Sequence, residues 1–153
     1  MPAGPFAERN GWRLYAHPAF NTRWIILIKA VEALERHNPE TYRSHPKTKL
    51  LKKIHDLILV EIPRDPNAAE FQLGNTLGRA HRHWRRAKFL GRFRLFFRFS
   101  TAHKAIVYAW VNDETTLRKA GSKTDPYVLF TKRLQEGDPP DNWEDLFREA
   151  ETD

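Results

Sequence analysis

The chain has 153 residues, a formal net charge of +7 and no cysteine. That length suits a single domain over positions 1–153, able to bury roughly 70% of its unfolded surface, and the missing cysteine excludes disulfides, thiolate metal sites and cysteine nucleophiles. No apolar run approaches the roughly 20 residues of a membrane span, and the N-terminus has no signal-peptide pattern, so the expectation is a soluble cytoplasmic protein with no membrane attachment.

Residues 1–10, with Pro2, Gly4 and Pro5, read as a loose start. Gly11 to His17 is a short aromatic segment that leads into a helix, and Pro18 suits the first turn of that helix. Phe20, Trp24, Leu27, Ile28, Val31 and Leu34 recur at helical spacing, and the helix should end near His37, before Pro39. A second helix is predicted from Pro46 to Ile62, with Ser44 as its cap, Leu50, Leu51, Ile54, Leu57 and Ile58 on one side, and Pro63 as its stop. Positions 63–83 are punctuated by Pro63, Pro66, Gly74 and Gly78 and read as a long loop with one helical turn around Phe71. Three strands of a meander follow. Beyond them, Asn112-Asp113-Glu114 and Gly121-Ser122-Lys123 read as turns. Thr124 or Asp125 caps a helix through Leu134, and Asp141 caps a last helix carrying Trp143, Leu146, Phe147 and Ala150. The order α-α-β-β-β-α-α makes an α+β domain, with two N-terminal helices on an antiparallel sheet and two helices at the C-terminus.

The strands carry the chemistry. From Trp84 to Ser100 cationic and apolar residues alternate, and the third strand is Ala105–Val111. Alternate residues of an extended chain face opposite ways, so Arg92, Arg94 and Arg98 share a face with Phe96, while Phe93, Leu95, Phe97 and Phe99 share the other. Arg86 and Lys88 fall together, opposite Ala87 and Phe89. The expectation is one apolar face on a core and one cationic face left open. Charge along the chain is uneven. From Leu134 onward there are eight acidic residues, Asp153 the last, against one basic, which leaves 25 basic and 11 acidic residues over positions 1–133. Nine Lys or Arg and no acid lie between Arg79 and Lys104. Such a surface predicts a polyanionic partner, nucleic acid first; the plain alternative is a set of charges that only solvate the protein.

Asn10-Gly11-Trp12, Leu14-Tyr15-Ala16-His17-Pro18, Lys49-Leu50-Leu51, Arg94-Leu95-Phe96-Phe97-Arg98, Trp110, Asn112-Asp113-Glu114, Thr116-Leu117-Arg118 and Gly121-Ser122-Lys123-Thr124-Asp125, continued by Pro140 and Trp143-Glu144, together resemble the YhaV family of bacterial toxins. The resemblance implies a RelE-like fold and the toxin of a type II toxin–antitoxin pair. It further implies endoribonuclease activity on messenger RNA, free or on the ribosome, with no cofactor and no metal. The implied partners are a PrlF-like, AbrB-type antitoxin and, through the antitoxin complex, operator DNA. A second reading of the same residues is a non-catalytic nucleic-acid-binding module that acts with a partner in transcriptional regulation, and a third is a protein-interaction partner only.

RNA carries its own nucleophile, so a protein need only help deprotonate the 2′-hydroxyl, stabilise charge at phosphorus and protonate the leaving 5′-oxygen. Positioned cations serve the second task. By the resemblance, Arg94 in Phe93-Arg94-Leu95 stabilises phosphate, Arg86 and Lys88 belong to the cationic first strand, and Arg118 and Tyr127 complete the catalytic set. Lys88 is the base if its neighbours disfavour its charge, and Tyr127 stacks on a base or donates a proton. Arg85, Arg92, Arg98 and Lys123 are expected to bind RNA. Blander readings stand beside these: Tyr127 as a helix-to-core contact, Asp125 as a cap, His17 as a capping or packing residue, and the Phe run as core, with Phe96 the exception. His81 and His83 lie on one side of an extended chain with no carboxylate or thiolate close in sequence, so no metal site is expected there.

Overall fold

The computed structural model describes residues 4–151; Pro2 of the loose start and Asp153 of the acidic tail lie outside the described residues. The N-terminal segment, expected to be irregular and aromatic, is a β-hairpin. Strands β1 (Ala7–Arg9) and β2 (Trp12–Ala16) pair antiparallel. Asn10 and Gly11 turn between them at φ of 52° and 82°, the double left-handed geometry that Asn-Gly supplies most readily. Strand β2 then pairs parallel with β5 (Ala105–Val111), Leu14 opposite Ile106. With β3 (Arg85–Phe89) and β4 (Phe93–Ser100), the sheet has five strands in the order β1-β2-β5-β4-β3. The expected meander is its β3-β4-β5 part; the sheet is mixed rather than antiparallel.

Helix α1 spans Pro18–His37 and begins as expected, with Pro18 in the first turn. His17 caps it: its Nδ1 accepts from the Ala19 amide at 3.0 Å. Helix α2 (Pro46–Asp56) repeats this His-Pro start, so its cap is His45 and not Ser44. A wide helical turn at Leu57–Glu61 and a last turn, α3 (Ile62–Arg64), carry the helix past Pro63. Pro63 lies within this continuous helix, just after the wide turn, and the helix ends one residue beyond it at Arg64. The expected single turn near Phe71 is Ala69–Phe71. Helix α4 (Pro126–Glu136) is capped by Asp125 and closes at Gly137, whose φ of 80° favours glycine. Helix α5 (Trp143–Ala150) is capped by Asn142, not Asp141.

The sheet is covered on both faces. On one, Phe20, Leu50, Ile54 and Ile58 pack with Leu14, Leu95, Phe97, Ile106 and Tyr108. On the other, Phe130, Leu134 and Leu146 pack with Trp84, Phe96, Val107 and Trp110. Each such side chain, fully buried, contributes about 1.5–3 kcal/mol. Most of the cationic face expected to lie open is therefore covered by α4 and α5, while Lys88 and Arg92 near the hairpin end stay exposed. The reason is Phe96 and Trp110: Phe130 stacks on Phe96 with centroids 4.2 Å apart, and 6.0 Å from Trp110. Trp110 reaches that face through a bulge. Phe96 pairs with Trp110 but Phe97 pairs with Tyr108, which leaves Ala109 unmatched and reverses the alternation beyond it. Phe96, the proposed exception in the Phe run, is fully buried core.

Candidate active site

Antiparallel pairing of β3 and β4 sets Lys88 directly opposite Arg94 and Arg86 opposite Phe96. Like charges facing across a ladder are unfavourable, and the register is held by the other face, where Ala87 meets Leu95 and Phe89 meets Phe93 in the core. Two of the three cations turn inward. Arg86 is 9% exposed and Arg94 8%, and both donate their Nε–H to the hydroxyl oxygen of Tyr127, at 2.9 and 3.0 Å. Arg86 Nη1 also donates to the Gln72 carbonyl, which ties the loop 63–83 to the site. Arg94 Nη1 donates to the carbonyls of Gly91 and Phe93. In each guanidinium Nη2 has no protein acceptor among the described residues and is not sealed from solvent. Lys88 is exposed on the same face.

Tyr127 lies in the first turn of α4, its ring edge-on to Phe96 at 5.6 Å. Its oxygen accepts from two charged donors, which leaves its own O–H free to donate. The Arg118 guanidinium lies 4.6 Å from the centre of the same ring, within the range of a cation–π contact. Arg118 also pairs with Asp125, whose other oxygen caps α4 by accepting from the Tyr127 amide at 3.1 Å. Arg92, exposed at the hairpin end, donates its Nε–H to the Arg118 carbonyl at 3.0 Å. Thus Arg86, Arg94 and Arg118, from two strands and a loop, converge on one phenol, that of Tyr127 on a helix.

Asn112, expected only as part of a turn, is buried beneath this cluster. Its Oδ1 accepts from the Arg94 amide at 2.8 Å, and its Nδ2 donates to the carbonyls of Arg92 and Thr116. It joins the strand that carries Arg94 to the loop that carries Arg118. Nothing in its local sequence distinguishes that role from an ordinary strand-end asparagine.

The remaining expected residues fall elsewhere. Arg98 shares the face but is drawn to the far end, its guanidinium 5.8 Å from both Trp84 and Trp143, with Nη1 donating to the Asp141 carbonyl at 2.6 Å. Burial there lowers its pKa. Arg85 falls on the opposite face of β3 by alternation; it lies 5.5 Å from the Phe99 ring and donates to Asn67. Lys123 is exposed in the turn before α4.

His81 and His83 do have a carboxylate, supplied from far along the chain. Asp141 Oδ1 meets His81 Nδ1 at 2.9 Å, His83 Nε2 at 3.0 Å and the Trp84 indole N–H at 2.8 Å. Burial would raise the Asp141 pKa, but the hydrogen bonds from Trp84 and His81 and the imidazole charges outweigh it and hold the carboxyl below its usual range. No group of three or more His, Cys, Asp or Glu among the described residues is arranged to hold a metal ion. A groove of about 590 Å³ runs between α1 and the Asn112–Glu114 turn, and the cations converging on Tyr127 do not line it.

The sequence model of a family described as a toxin with endonuclease activity, of a toxin–antitoxin system, matches residues 14–151. The chain belongs to the YhaV toxin family. Over 149 residues it is 46% identical to the ribonuclease toxin YhaV of Escherichia coli K12, and equally to the toxin YhaV of Escherichia coli O157:H7, with 95% of this chain and 97% of each relative covered. No solved structure matches the chain. The YhaV match begins at Leu14, inside β2, and runs through every element of the cluster on Tyr127. A toxin–antitoxin system implies an antitoxin that binds this protein. Among the described residues no helix is long and apolar enough to cross a membrane.

Proposed function

We propose that this protein is a metal-independent endoribonuclease of RelE-like type, which cleaves messenger RNA and thereby stops translation and growth. The observation that carries the reading is the convergence of Arg86 and Arg94 on the Tyr127 hydroxyl, with Arg118 against the ring. The free Nη2 groups of Arg86 and Arg94 take the non-bridging oxygens of the scissile phosphate. There, preorganised positive charge acts as charge develops on phosphorus. Lys88 faces the 2′-hydroxyl and takes its proton when the amine is unprotonated. The 2′-oxygen bonds to phosphorus, the bond to the 5′-oxygen breaks, and Tyr127 protonates that leaving oxygen. The products are a 2′,3′-cyclic phosphate and a 5′-hydroxyl, and the proton returns from Lys88 to Tyr127 through solvent. Arg92, exposed at the hairpin end, and Lys123, exposed in the turn before α4, extend the cationic track for flanking nucleotides.

In this reading the chain is a single cytoplasmic domain. A PrlF-like, AbrB-type antitoxin neutralises it, and the complex binds operator DNA through the antitoxin. The test is incubation of purified protein with RNA in EDTA, followed by end analysis. New 5′-hydroxyl ends from wild type, and cleavage slowed about a hundredfold or more in Arg94→Ala, support the reading. RNA binding without new ends supports the non-catalytic module instead.

A further inference from the structure

We infer that Asp125 is a positioning residue of this site, one that sets Arg118 against the face of Tyr127; the inference rests on the proposed ribonuclease reading and deepens it. A helix cap needs only a neutral acceptor, and Ser, Thr or Asn serves as well as Asp. Asp125 is a carboxylate 1% exposed, and a buried charge is unfavourable unless it is paired. Its oxygens divide the work. Oδ1 accepts from the Tyr127 amide, and Oδ2 pairs with Arg118 Nη1. The first contact orients the start of α4 and the phenol with it. The second holds a cation that otherwise sits on a segment with no helix or strand, between β5 and α4.

Among the described residues, that segment is anchored near Arg118 by hydrogen bonds with Arg92, with the Asn112 amide and between Thr116 and Asp113, none of which directs the Arg118 side chain. Among the described residues, Asp125 alone makes a directed bond to the guanidinium, which then lies 4.6 Å from the ring centre. Arg118 Nε and Nη2 remain without protein acceptors among the described residues and are not sealed from solvent, so they stay available to a phosphate. One carboxylate thus couples the site's proton donor to one of its cations. It touches no substrate itself.

The test is a double-mutant cycle in single-turnover RNA cleavage and in unfolding, with Asp125→Asn, Arg118→Ala and the pair. Asparagine keeps an acceptor for the Tyr127 amide and removes the charge that holds Arg118. Asp125→Asn and Arg118→Ala should each lower kcat about 10- to 100-fold with KM changed by less than about threefold, and the double variant should be no slower than the slower single one. Arg118→Ala strands a buried carboxylate, so adding Asp125→Asn should raise the unfolding midpoint above that of Arg118→Ala. This stability readout stands even if Asp125→Asn alone folds poorly. Additive losses in kcat, or a double variant less stable than Arg118→Ala, overturn the inference. Arg94→Ala run in parallel separates the two levels. If Arg94→Ala cuts like wild type, the ribonuclease site is misassigned; if it is slow while the cycle is additive, only the role of Asp125 fails.

Discussion

Replacing Tyr127 by phenylalanine removes one oxygen and leaves the ring, with its contacts to Phe96 and Arg118, in place. That oxygen accepts from two buried guanidinium groups, at 2.9 and 3.0 Å. A hydrogen bond involving a charged group contributes about 1.5–3 kcal/mol, and an unmet buried donor costs more than a lost bond at the surface. Both arginines keep their Nη1 bonds to main-chain carbonyls, so the combined loss should stay near about 2–4 kcal/mol. For a chain of this size that is a fall in Tm of about 4–16 °C. Cleavage should fall by about 10²–10⁴, because the proton donor is gone and the arginines lose their shared anchor. Calorimetry and single-turnover cleavage on one preparation check both. A Tyr127→Phe protein that melts like wild type and cleaves like wild type would refute the reasoning. A large loss of stability with full activity would confine Tyr127 to a structural role.

Phe96→Ala should cost about 3–5 kcal/mol in urea unfolding, as a core aromatic does, and an unchanged midpoint would mean that Phe96 is not held between Phe130 and Trp110. Lys88→Ala should shift stability by no more than about 0.5 kcal/mol, as exposed positions do, yet slow RNA cleavage, and equal rates would remove Lys88 from the site. Asn112→Ala leaves the buried Arg94 amide without its acceptor, at a cost of about 1–3 kcal/mol, and should slow cleavage as well as lower the midpoint. The pH dependence follows from Asp141. A carboxylate whose folded pKa is lowered adds stability above its unfolded value, near about 3.9, and loses it as pH falls through the folded value. Wild type should therefore lose stability below about pH 4, and Asp141→Asn should show a shallower loss there, which urea titrations across acid pH would measure.

Alternation in β4 placed Phe93, Leu95, Phe97 and Phe99 correctly, because one-face burial imposes a period of two on any strand. It could not say whether the other face was wet. Arg86 and Arg94 are charged and still buried, held by a tyrosine 41 and 33 residues away. The hairpin turn at Asn10-Gly11 is missed when residues 1–10 are read as a loose start, although Asn-Gly favours such a turn. The parallel pairing of Leu14 with Ile106 is non-local and leaves no mark on either segment. The reversal at Ala109 is of the same kind, since it exists only against Phe96 and Phe97. Helix starts were partly legible. His17-Pro18 and Asp125-Pro126 stand as read, whereas His45 and Asn142 displace Ser44 and Asp141 as caps. Asp141 is taken instead by Trp84, His81 and His83, partners about 60 residues upstream. The placing of Arg118 and Tyr127 in one site came from the family resemblance, because their spacing in the chain carries no geometric signal. Asp125 illustrates the limit: its capping role is local and visible, and its hold on Arg118 is not.

The central claim is that this cationic cluster drives attack by the RNA's own 2′-hydroxyl. Two oligonucleotides of one sequence, identical except for a 2′-deoxy sugar at the mapped cleavage position, test it in EDTA. The account predicts that the all-ribose strand is cut to a 5′-hydroxyl product while the 2′-deoxy strand stays intact. Equal cutting of both strands would contradict it.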